Sequence, residues 1–283
     1  MTVSPPQPRA KDDVRPLPGP TEAGPVGRAW RGISSLGGAL VIVLTVEVLA
    51  RLDVLPSRYL PPPSVVLLRL FEAMGEPVFW QATAMTVIGW FLSLTIATLV
   101  AVPLGVLLGT SELAHRATRP IVEFLRPVPS VALIPLVFLL FRPGSMDGKV
   151  FLAAFAATWP LLIQVIYGVR AINPIQLATA RSFQIGRVRS FFRVVIPAAT
   201  PYLATGLRIA SSVALILTVT GEIIMGAPGI GLEINRAREG GDVPLMYAYV
   251  IVGGVLGVVL NLVFAALERK VLHWHVSQRS ARR

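Results

Sequence analysis

Apolar residues gather in near-continuous runs at roughly 33–50, 84–109, 121–141, 150–169, 201–225 and 245–267. A hydrocarbon layer about 30 Å thick is crossed by about 20 residues of helix at 1.5 Å per residue. Most of the runs reach that length; the first is short and carries Glu47. In hydrocarbon each backbone donor and acceptor must be satisfied within its own segment, so the runs are expected to be helices. The pattern predicts an all-α, polytopic membrane protein with six transmembrane helices over residues 31–272, flanked by a Pro-rich basic tail over 1–30 and a basic tail over 273–283. Between the first two runs, "RYLPPPSVVLLRLFEAM" predicts an amphipathic helix capped by Ser64, with Val65, Leu68 and Phe71 on one side. Between the last two, Leu232 to Arg238 reads as a short polar helix stopped by Gly240 and Gly241.

Charge adds orientation. Segments 1–31, 110–120, 170–199 and 268–283 hold 17 of the 26 Lys and Arg but only 5 of the 15 acids. The alternate segments balance. Basic residues mark the cytoplasmic side, so both termini are expected in the cytoplasm. The basic residues are scattered over short loops without interleaved aromatics, which argues against nucleic acid as a partner. No cleavable signal is expected, because the first apolar run follows about 30 polar, Pro-rich residues.

Little in the chain supports catalysis. There is no cysteine, which removes disulfides and thiolate chemistry. The sole Gly-Lys, Gly148-Lys149, is followed by Val150 in what reads as a short outer turn, so no phosphate-binding loop is present. His273 and His275, spaced i, i+2, point to different helix faces. Gly105 with Gly109, and Gly253 with Gly257, have the spacing that lets helices approach closely. Pro127, Pro129 and Pro135 interrupt the third span, either as a structural kink or because that span lines a path. Ionisable groups inside spans are candidates for function. Glu123, Arg126 and Arg208 are placed near the inner boundary, where a Glu123–arginine pair could clamp helices, an arginine could snorkel, or an anionic substrate could be drawn in. Glu222 and Glu47 lie toward the outer ends of their spans, with Arg236 and Arg238 as expected partners. Ser130, Trp159, Gln164 and Thr218, with Thr158 and Thr220, are polar residues at mid-membrane depth; together with Glu123, Arg126, Arg208 and Glu222 the first four form the candidate translocation path or gate.

The stretch "ATARSFQIGRVRSFFRVVIP", residues 178–197, has four arginines and no acid. "IQLATARSF" over 175–183 reads as a short amphipathic helix, a turn follows near Gln184 to Gly186, and a second basic stretch rises to Pro197. A loop of this length, with apolar Phe183 and Ile185 that look buried, predicts a docking element for a cytoplasmic partner.

This loop resembles the EAA loop of bacterial ABC importer permeases: Glu-Ala-Ala, three residues, Gly, nine residues, Ile, one residue, Leu-Pro. Counted back from Pro197, the pattern falls on Ala178-Thr179-Ala180, Gln184, Val194 and Ile196-Pro197. Ala178 replaces the family's acid, and Gln184 replaces a glycine suited to a tight turn of positive φ. Gly186 is two residues out of register. "YLPPPSVVLLRL", "EFLRPVPSVALIPL" and "GEIIMGAPGIGLEINRAREGGDVPLMYAYVIVGGVLG" are similar to the nitrate/sulfonate/taurine branch of these permeases.

The resemblance implies a permease subunit of an ATP-driven importer for a small solute such as a sulfonate, taurine or nitrate. It implies two ATPase subunits that bind ATP and Mg, a second permease subunit of the same or a different chain, and an extracytoplasmic substrate-binding protein or lipoprotein. This chain would hold no cofactor or metal and would not itself be an enzyme. The coupling role then falls on Ala178, Thr179, Ala180, Arg181, Phe183, Gln184 and Gly186. The alternative class is an ion-coupled secondary transporter, which calls for a titratable group at the membrane midplane.

Overall fold

A computed structural model describes residues 25–52, 54, 56 and 58–271, and every regular element among them is helical. The 273–283 tail lies outside the described residues. So does the tail before Pro25, where α1 (Pro25–Arg51) begins inside the stretch expected to be tail. This helix belongs to a compact unit of its own that ends at Leu55. It exposes Leu40 to Leu44, and Glu47 takes a hydrogen bond from Arg51 one turn on, at 2.6 Å.

The second unit, from Pro56, holds the rest. It begins with α2 (Pro63–Met74), α3 (Pro77–Thr110) and α4 (Glu112–Leu125). Proline opens α2 one residue ahead of Ser64: Pro63 stands at the first position, where a missing N–H costs nothing. Val65, Leu68 and Phe71 form an exposed apolar stripe on it. At the other edge of α2, Arg69 grips Asp242 through two nitrogens at 2.7 and 3.0 Å, and Glu72 at 2.9 Å. Those two carboxylates hold the guanidinium above its ordinary pKa.

After α4 the chain bends by 86° across Arg126 to Pro129, then continues through a 3-10 turn (Ser130–Leu133) into α5 (Ile134–Leu140). Pro127 and Pro129 supply no amide to the preceding turn, which ends the helix where the sequence placed the interruption. Next come α6 (Met146–Arg170), α7 (Pro174–Ser182), α8 (Arg187–Ser190), one wide π turn (Phe191–Val195), α9 (Ile196–Met225), α10 (Ile230–Glu239) and α11 (Val243–Val271). Among the described residues four helical stretches are long and apolar enough to cross a membrane: α3, α6, the stretch containing α9, and α11. The bent α4–α5 pair makes a fifth if it counts as one span. The expected six are therefore not all counted among the described residues, where prolines break the third run.

The core is the packing of α6 against α3 and α9, with Ala97 and Ala101 facing Ala157, Leu161 and Val165, and Ala210 and Ala214 closing from α9. Small side chains bring these axes together. A Cβ on Gly105 would sit 2.7 Å from Val165, and one on Gly109 would sit 2.7 Å from Val169. The matching pair on α11 is looser: Gly253 has nothing within 4 Å, and a Cβ on Gly257 would meet Leu215 at 3.5 Å, an ordinary contact. Since α6 ends at Arg170 and α9 returns from Ile196, α7 and α8 occupy one end of the bundle and α10 the other. At the α10 end Ile230 is buried with Ala73, Phe79 and Tyr249.

Candidate functional site

The candidate residues separate into three places. At the α7 end, Asn173 Oδ1 accepts the Ile175 N–H at 2.9 Å and starts α7. The helix stops through a Schellman arrangement: Gln184 stands at φ 55°, and the Ile185 N–H returns to the Ala180 carbonyl at 3.0 Å. The position where the family pattern has glycine is thus the left-handed position that glycine serves, which fixes the register. Gly186 carries no such constraint. Ala180 is buried under the turn, while Ala178, Thr179 and Gln184 are exposed. The side chain of Arg181 lies outside the described ones. Phe183, expected to be buried, is 76% exposed, and Ile185 is half-buried. Ile175, Val188 and Phe192 are also exposed, and Val188, Phe192, Arg189 and Arg193 line an open cleft of about 660 Å3 with Gly186. The apolar side chains that looked like a core are instead an uncovered surface. The π turn then passes the Ile196 N–H to the Phe191 carbonyl, just ahead of Pro197, which has no N–H to give.

At mid-bundle a cleft of about 440 Å3 gathers four of the candidates: Arg126 and Ser130 from the broken span, and Trp159 and Gln164 from α6, with Ile209, Val213 and Leu217 of α9 as an apolar wall. The α6 and α9 residues come from the middle of helices that are 25 and 30 residues long. The indole N–H of Trp159 is buried and has no hydrogen-bond partner among the described residues. Trp159 is held edge-on by Phe155 at 5.5 Å, and the Gln164 stem fills the space left by Gly206. Glu123 does not pair with Arg126 or Arg208. It accepts from Arg119 on its own helix at 2.7 Å, and it shares a smaller cleft of about 220 Å3 with Arg126, His115 and Tyr167. Arg208 instead bonds Glu268 of α11, a partner outside the predicted set. This clamp therefore joins α9 to α11.

At the α10 end, Glu222 meets neither Arg236 nor Arg238; Arg236 turns to Glu233 at 2.7 Å. Its partner is Lys149, at 2.7 Å, and both side chains are wholly buried. Lys149 is not in a turn: α6 starts at Met146, so the lysine lies inside that helix. Its ammonium donates to Glu222 Oε1, to the Met85 carbonyl at 3.1 Å and to the Pro228 carbonyl at 2.5 Å, using all three protons. The carboxylate also accepts from Thr86 Oγ1 at 2.9 Å and from the Gly231 N–H at 3.0 Å, and the Ile230 N–H donates to Thr86 at 2.8 Å. One saturated cluster thus joins α3, α6, α9 and the turn into α10. Gly229, at φ 154°, has no room for a Cβ, which would lie 2.0 Å from Glu222 Oε1. The sequence signals that could have revealed this are an acid in an apolar helix followed by Gly-Ile-Gly, and a lone lysine early in another apolar run. Thr218 is also fully buried, its hydroxyl unpartnered among the described residues, away from the mid-bundle cleft.

The chain is similar to known proteins. The taurine transport system permease protein TauC of Escherichia coli (strain K12) is 30% identical over 84% of this chain and 88% of its own. The nitrate import permease protein NrtB of Leptolyngbya laminosa is 31% identical over 70% of each. A solved structure of the MetNI methionine ABC transporter in inward-facing conformations matches the fold with a TM-score of 0.61, covering 70% of this chain and 99% of that one at 18% identity. Residues 101–273 match the binding-protein-dependent transport system inner membrane component, and the chain belongs to that family of ABC importer permeases.

Proposed function

We propose that this protein is the membrane subunit that forms the translocation path of an ATP-driven importer for a small anion, and that α7 with the turn after it docks a separate ATPase. The observation that carries the docking role is the α7 end itself. A helix closed by a left-handed residue at the family's glycine position presents Ile175, Phe183 and Val188 uncovered beside Arg189 and Arg193. Exposed apolar side chains of this size beside charge mark an interaction surface. In this reading α1 is the first of six spans, both termini and α7 face the cytoplasm, and α10 faces outward toward a substrate-binding protein. Two ATPase subunits bind ATP and Mg, and a second permease subunit completes the path. The cargo class follows the relatives, which include a permease for nitrate, an anion, and one for taurine, a zwitterion that presents a sulfonate.

An ion-coupled mechanism needs a titratable group at mid-depth. The buried Lys149–Glu222 pair lies at the α10 end, with its ammonium protons all engaged. The test is co-expression with ATPase subunits of the same genome. Phe183→Asp is expected to abolish co-purification and ATP-dependent uptake of taurine or nitrate, leaving the variant folded. Full uptake by that variant, or uptake driven by a proton gradient without ATPase, would refute the proposal.

A further inference from the structure

The geometry points to a subsite for a monovalent oxyanion in the mid-bundle cleft, with Arg126 as the charge and the Trp159 indole N–H as a second donor; this rests on the importer reading above. Four observations converge. Arg126 has no carboxylate within ion-pair distance among the described residues, and the nearest acid along its helix, Glu123, is held by Arg119. No acidic side chain lines the cleft. The buried Trp159 N–H is unsatisfied, a cost that an acceptor entering the cleft would remove. Ser130 and the Gln164 amide add neutral donors beside an aliphatic wall, and about 440 Å3 lies within the range of small-molecule sites, about 300–1,000 Å3.

Arg126 is an exposed side chain that lines the open cleft, so its charge attracts an anion there and repels a second cation. Such a site selects charge sign first. The aliphatic wall leaves space for a short apolar tail, so organic sulfonates and bare oxyanions both fit. Arg126 stands at the 86° break of the fourth and fifth helices, so movement of either arm changes its reach into the cleft. An anion held there would therefore favour one setting of that break over the other.

The chain has no cysteine, so Ser130→Cys creates its one thiol. In the complete complex in nanodiscs, the thiol is treated with 2-sulfonatoethyl or 2-(trimethylammonium)ethyl methanethiosulfonate and the modification of this chain is followed by mass spectrometry. Relative to a free thiol, the anionic reagent is expected to win by about tenfold, and Arg126→Gln is expected to erase that preference. Methanesulfonate should slow the reaction, its neutral near-isostere dimethyl sulfone should not, and Trp159→Phe should weaken the protection several-fold. If Ser130→Cys fails to assemble, Gln164→Cys reports from the same cleft. No reaction, a preference that survives Arg126→Gln, or equal protection by the sulfone would overturn the subsite. ATP-dependent uptake with an unselective cleft would leave the importer reading standing alone; a selective cleft without such uptake would leave only the subsite.

Discussion

Removing one member of the Lys149–Glu222 pair should damage the protein far more than removing both. Lys149→Met keeps the stem that covers Gly89 and Gly221 but leaves the Glu222 carboxylate buried with only Thr86 and the Gly231 amide for company. It also strips the Met85 and Pro228 carbonyls of a donor. Breaking a buried pair in this way costs about 3–5 kcal/mol. Glu222→Gln leaves a buried ammonium facing neutral acceptors and falls in the same range of about 3–5 kcal/mol. The double variant carries no buried charge and keeps an acceptor for Gly231, so its cost should fall well short of the sum of the singles, with a coupling of about 2 kcal/mol or more. The assay is a double-mutant cycle by reversible denaturant unfolding of the purified complex, each variant first checked for assembly. Additivity within about 0.5 kcal/mol, or single variants costing under about 1 kcal/mol, would refute the claim that this pair fastens the α10 end.

Further outcomes follow from the same geometry. Gln184→Gly should relieve a left-handed non-glycine residue by about 1 kcal/mol and slow hydrogen exchange at the Ile185 amide, while Gln184→Val should speed it. Gly229→Ala places a methyl 2.0 Å from the Glu222 carboxylate and should abolish folded yield, whereas Gly253→Ala meets nothing within 4 Å and should leave yield unchanged; size-exclusion profiles of the two decide it. Asp242 both grips Arg69 and accepts the Leu245 N–H at 3.0 Å, so Asp242→Ala should cost about 1–2 kcal/mol and show as a lowered unfolding midpoint.

Helices were legible because hydrophobic runs of spanning length leave the backbone no alternative, and the break at Arg126 was legible because proline chemistry is local. The register of the α7 loop could also be counted, and Gln184 adopts the conformation that the missing glycine implied. What could not be counted was which polar group meets which. Glu123 lay three residues from Arg126 and bonded Arg119; Arg208 found Glu268, sixty residues away; Glu222 passed over two nearby arginines for a lysine seventy-three residues back. Helical spacing fixes neighbours on one helix, but partners on different helices are set by interaxial packing, which depends on where small residues such as Gly105 and Gly206 admit close approach. The exposure of Phe183 was missed for a related reason: apolar character states that a side chain avoids water, not which protein covers it.

The distribution of unmade bonds separates framework from working parts. At the α10 end the donors and acceptors around Lys149 and Glu222 are engaged, so the cluster has nothing left to offer a ligand and fixes α3, α6 and α9 to one another. At mid-bundle the reverse holds: among the described residues an arginine lacks a counterion and an indole N–H lacks an acceptor in the same cleft. At the α7 end the deficit is apolar: four large side chains, Ile175, Phe183, Val188 and Phe192, are left exposed among the described residues. A buried network that is saturated resists change, because each element it joins would have to lose a bond to move. Groups left unsatisfied lower their free energy only when something arrives. In the proposed reading the chain is pinned at one end and receptive in the middle and at the other end, so that the proposed docking at α7 and the proposed subsite in the cleft would act on the same two long helices, α6 and α9, which run between them.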